Sequence, residues 1–171
     1  MLEKTLKIIG CLLFVGCAVP AYTSFHGIKG FDDTNMEVSS KEALEEVVEL
    51  VLRKTGKKGT QKLYGYKIHF VNKWIRVPKY NSNEYALADG LTNPFDRVMV
   101  VSVFQDCLAD SGLPHELAHV LHDSEIPDWW HEDKEYWKWV KNTLEPEAIS
   151  ELCGADHVHK TIPPDYVPPR G

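Results

Sequence analysis

His115-Glu116-Leu117-Ala118-His119 sets two imidazoles four residues apart, with a carboxylate beside the first. In a helix, positions i and i+4 share a face, so both rings can reach one cation. Zinc held that way lowers the pKa of a water it binds, and the adjacent Glu116 can take the proton. Chance supplies about 0.03 such arrangements in a chain of this length and composition, so the spacing is a signal. Leu117, Ala118, Val120 and Leu121 favour a helix with apolar faces turned into a domain. The chemistry to expect is metal-assisted hydrolysis, with His115 and His119 as ligands and Glu116 as general base.

A third ligand is needed. His131 follows a turn containing Pro127 and opens a run with Glu132, Asp133, Tyr136 and Trp137; it is the first choice. Glu147 is the alternative, although Glu145-Pro146 also reads as an exposed helix start with favourable acidic charge. His122 shares the face of His115 and His119 but lies a further turn along, which suits a supporting or surface role. His157 and His159 are lesser candidates, and His26 and His69 read as surface residues.

The strand expected at Arg97–Val103, followed by a loop and Leu113-Pro114-His115-Glu116-Leu117-Ala118-His119, resembles the core of the zincin metallopeptidases over roughly residues 97–140. The resemblance implies a minimal α+β domain in which a small mixed sheet packs on the motif helix between flanking helices. It also implies Zn2+ as cofactor, a peptide or protein substrate held by an edge strand, and water attack on the peptide carbonyl. A third His just before a helix bearing aromatics is similar to some zincin groups. Glu147-Ala148-Ile149-Ser150-Glu151 resembles the downstream ligand helix of gluzincins, with Glu151 standing for their Asp, and Asp123 matches an acid of that group. Tyr136 is either an oxyanion stabiliser, if it turns toward the metal, or a core residue.

The elements that must position these residues follow from periodicity. Ser39-Ser40-Lys41-Glu42 has capping-box spacing, and Ala43, Val47, Leu50 and Val51 form a helical stripe ending at Gly56, giving a helix over 40–55. Tyr64, Tyr66, Ile68 and Phe70 alternate as a half-buried strand, which Ile75 and Val77 extend or follow. Tyr85–Leu91 reads as a weak edge strand and Arg97–Val103 as a central one. Helices are expected over 113–123, 132–144 and 146–153. Trp129, Trp130, Trp137 and Trp139 offer either an aromatic wall beside a cleft or, with Val140 and Leu144, a core-facing helix side.

The ends speak of location. Lys4 and Lys7 precede an apolar run, Ile8–Val15, far too short for the roughly 20 residues of a spanning helix, so residues 1–16 read as a signal peptide. Phe14-Val15-Gly16-Cys17 resembles a bacterial lipobox, which implies lipidation at Cys17 and a lipid anchor in a membrane of the cell envelope. Val19-Pro20-Ala21 offers ordinary cleavage and secretion instead. Either way the domain works outside the cytoplasm. Residues 17–38 read as a lipidated Cys and tether, 39–160 as the folded domain and 161–171 as a proline-rich tail. Cys107 and Cys153 are left for the fold, as a disulfide or as two buried thiols.

Lys and Arg number 19 against 25 Asp and Glu in 171 residues, a net charge of −6 that becomes −7 without the leader. Nucleic acid is excluded as a main partner, since phosphate binding needs a basic face. Two functions are open on these residues: a zinc peptidase, or a non-catalytic zinc-binding envelope lipoprotein acting as a binding or assembly module. The intact Glu116 favours the first, because a purely structural site has no use for a carboxylate there.

Overall fold

The computed structural model describes residues 22–34, 39–57, 61–78, 84–122, 131–159 and 163. The leader, Cys17, Asp123, Trp129 and Trp130 lie outside the described residues. The fold is α+β: among the described residues there are a five-stranded mixed sheet, a two-stranded sheet and three helices.

The main sheet runs in the order β1 (Tyr22–Thr23), β2 (Lys29–Asp32), β3 (Lys67–Val71), β7 (Val98–Ser102), β6 (Gly90–Asn93). β2, β3 and β7 are parallel, while β1 and β6 pair antiparallel at the two ends. Helix α1 (Lys41–Thr55) makes the crossover that the parallel β2–β3 pair requires. Ser40 caps it by accepting from the Ala43 N–H at 3.2 Å, and Gly56 ends it in the left-handed region at φ 68°. The cap is thus one residue later than the Ser39 capping box predicts; Ser39 is buried instead, its carbonyl accepting from the Tyr22 hydroxyl.

The tether expected over 17–38 is corrected by the strands at 22–23 and 29–32. Ile28 and Phe31 are buried, and the Lys29–Asp32 register against β3 makes this segment part of the sheet. Its glycines and short alternation hide a strand whose stability comes from its neighbour rather than from propensity. His26 and His69 are also buried, not surface: His26 lies 2.7 Å from Glu49, and His69 stacks on Phe31 at 4.5 Å between ring centroids. Burial holds the His69 imidazole below its ordinary pKa.

Two strands replace the single one expected at 85–91. β5 (Tyr85–Ala88) pairs with β4 (Ile75–Pro78) in the small sheet, and after Asp89 the chain re-enters the main sheet as β6. β7 is an internal strand, with β3 at the centre of the order. Ile68 and Phe70 of β3 and Met99 and Val101 of β7 share the core with Leu44, Val47, Val48 and Val51 of α1. Helix α2 (Leu113–Leu121) adds Leu113, Leu117, Ala118 and Leu121 to that core.

The third helix, α3, is continuous where two were expected. It runs Lys134–Trp139, widens into a π segment at Val140–Leu144 and continues through Glu145–Leu152 with right-handed helical angles at both junctions. Pro146 explains the widening: it has no N–H, and its ring would press on the carbonyl four residues earlier, so the preceding turn opens. Cys107 and Cys153 are joined as a disulfide that fastens the segment feeding α2 to the end of α3. Among the described residues, no helix is long and apolar enough to cross a membrane.

Candidate metal centre

His115 and His119 stand one turn apart on the half-exposed side of α2, while the residues between them anchor that helix in the core. His131 arrives from the other direction. Its backbone takes φ 53°, a left-handed conformation that costs an L-residue about 1–2 kcal/mol, and the turn leads straight into α3. Asp133 caps α3 by accepting from the Tyr136 N–H at 3.1 Å, and its other oxygen lies 3.2 Å from His122 Nε2. The Tyr136 hydroxyl donates to the Ala118 carbonyl at 3.0 Å. These contacts pin the start of α3 to the end of α2. They also assign Tyr136 to joining helices and His122 to Asp133.

The Nε2 atom of His131 lies 3.2 Å from that of His115 and 3.2 Å from that of His119. Tetrahedral ligation at about 2.0–2.1 Å separates two nitrogens by about 3.3–3.4 Å, so this donor set fits one divalent cation such as zinc. The three imidazoles are the group that meets a metal's convergence among the described residues. Trp137 forms their floor, its ring centroid 5.1 Å from His115, 4.2 Å from His119 and 4.1 Å from His131. The indole is itself buried, so one side chain belongs to both core and site.

Glu147 is not brought to this centre. Its carboxylate pairs with Lys54 of α1 at 2.6 Å, and Glu151 pairs with Arg53 and Lys54. The carboxylate of α3 that does arrive is that of Glu145, whose Oε1 is 2.9 Å from His115 Nδ1. His157 and His159 go elsewhere, flanking the buried Asp110 carboxylate at 2.7 and 2.6 Å.

Glu116 sits between α2 and β6. The Thr92 hydroxyl donates to its Oε2 at 2.6 Å, and a side chain at Gly90 would overlap the carboxylate. Gly112 plays the matching part at the start of α2, where a Cβ would collide with the Asp89 backbone. Burial pushes the Glu116 carboxyl up to about 7, against the pull of His115 and the Thr92 hydroxyl. Burial acts to lower His115, but the Glu145 hydrogen bond and the charges of Glu116, Glu145 and Asp89 outweigh it and raise that imidazole above its ordinary value.

Glu145, Thr92 and Gly90 escaped sequence reasoning, whereas Trp137, read there as either an aromatic wall or a core residue, is buried in the core and also contacts the imidazoles. Glu145-Pro146 was the available signal, because a proline within a helical run forces a local widening that re-aims its neighbours. No protein-family model, curated protein or solved structure matches this chain.

Proposed function

We propose that this chain is a zinc-dependent hydrolase of peptide bonds, of zincin type, acting on a peptide or protein substrate at the bacterial cell envelope. The observation that carries the reading is the convergence of His115, His119 and His131 beside the buried, hydrogen-bonded Glu116. His115, His119 and His131 would hold the cation. When bound, zinc supplies Lewis acidity toward a carbonyl and acidifies a water molecule.

The chain's own residues do the rest. Glu116 takes the proton from the attacking water and passes it to the departing amine nitrogen. A carboxyl titrating near neutrality suits both halves of that task. Thr92 fixes the carboxyl's orientation, and Trp137 with the Asp133 and Tyr136 contacts holds the imidazoles against α2. The Cys107–Cys153 disulfide supports an oxidising compartment, in keeping with export and anchoring through Cys17. Glu116→Ala should retain the cation and lose cleavage of an unstructured protein such as casein. A wild-type chain that binds zinc and cleaves nothing across a broad peptide library would favour the binding-module alternative.

A further inference from the structure

We infer that Glu145 is a positioning residue for this centre: it holds His115 in the tautomer that presents Nε2 to the cation, and the π turn before Pro146 brings it into reach. The inference rests on the metal reading above and deepens it.

A neutral imidazole carries one N–H and one lone pair, and the partner of one nitrogen decides which atom has which. Glu145 Oε1 lies 2.9 Å from His115 Nδ1, and a carboxylate accepts, so Nδ1 is the donor. The lone pair then stands at Nε2, the atom facing His131. Glu116, adjacent in sequence, is committed to Thr92, which leaves the Nδ1 position to Glu145. Both side chains are about one-quarter to one-third exposed, at 27% and 32%, so the bond is partly shielded from competing water.

The reach of Glu145 depends on the widened turn. Its N–H bonds to the carbonyl of Val140, five residues back. One extra residue in a turn rotates everything after it by about 100° around the helix axis, so a regular α-helix from the same start would point Glu145 away from His115. Val140, Leu144 and Ala148 hold α3 in the core, whereas Glu145 is half-buried and lies outside the apolar core. Its substitution therefore spares the fold.

The test uses full-length protein, with nitrogen-15 NMR of the metal-free form and Co2+ as the probe. At a pH where the ring is neutral, wild-type His115 should show the Nδ1–H tautomer, and the protein should bind Co2+. In Glu145→Ala the Nε2–H form should gain population, and Co2+ affinity should fall about 10- to 100-fold with an altered d–d spectrum. Glu145→Gln, whose amide oxygen still accepts at Nδ1, should keep the tautomer and lose less affinity. Glu145→Ala with an unchanged tautomer, or with Co2+ affinity within about twofold of wild type, overturns the inference and leaves the metal reading standing. A folded wild type that takes up no Co2+ overturns both.

Discussion

His131 lies over the indole of Trp137 with ring centroids 4.1 Å apart and 32° between the planes. The same indole lies against His115 and His119, so one buried side chain backs three rings from two segments of the chain. Trp137→Ala should cost about 3–5 kcal/mol of stability, as expected when a large aromatic leaves a packed core. It should also weaken Zn2+ binding. Trp139→Ala, at a half-buried position on the same helix, should cost less on both counts. Urea unfolding and chelator competition on the two variants check this, and equal effects would remove Trp137 from its role as the floor.

Glu116 predicts a pH dependence for the metal-free protein. Its carboxyl is raised from 4.5 to about 7, so the folded state holds this proton more tightly than the unfolded chain. The stabilisation is fully present below about 4.5 and is lost as pH rises through about 7, a change on the order of 3 kcal/mol. Metal-free wild type should weaken over that interval, while metal-free Glu116→Gln should hold a flatter profile and be the more stable of the two at pH 8. Urea titrations at several pH values would expose the opposite ranking.

Gly90 predicts a separation of binding from chemistry. A methyl group there would meet the Glu116 carboxylate, and nothing places it against the three imidazoles. Gly90→Ala should therefore bind one Zn2+ per chain as wild type does, while any peptidase rate falls by at least tenfold. Loss of the cation in this variant, with the fold intact by circular dichroism, would contradict the assignment of Gly90 to Glu116.

The disulfide spans 46 residues, from the lead-in of α2 to the end of α3. Closing a loop of that length restricts the unfolded chain by about 4 kcal/mol in the chain-entropy account. The Cys107→Ser, Cys153→Ser double variant should lose about 2–4 kcal/mol and match reduced wild type. Metal stoichiometry should stay at one, because neither cysteine touches the imidazoles. Calorimetry with and without reductant distinguishes this from two thiols that never paired.

Legibility divided along physical lines. The stripe of α1 is a local pattern and reads correctly to within a residue, while the alternation locates β3 but not its surroundings: the strand starts at Lys67 and is buried on both faces rather than half-buried, with Phe31 of β2 covering His69. The motif helix and its two imidazoles are equally local. β2 escaped because its place is set by pairing with β3, a contact across the α1 crossover that no window of sequence contains. Asp89 divides one apparent strand into two because Ser102 N–H takes its carbonyl at 2.7 Å, another distant partner. Glu145 was missed for a subtler reason: regular helical geometry turns it away from His115, and only the π turn before Pro146 brings it round. Glu147 attracts attention through its spacing, yet Lys54, far earlier in the chain on α1, claims it.

Metal analysis of the purified protein tests the central claim most directly. Elemental quantitation should give one zinc per chain in wild type, none in His131→Ala and one in Glu147→Ala. A wild type without zinc after exposure to the ion, or a His131→Ala protein that keeps it while Glu147→Ala loses it, would contradict the account.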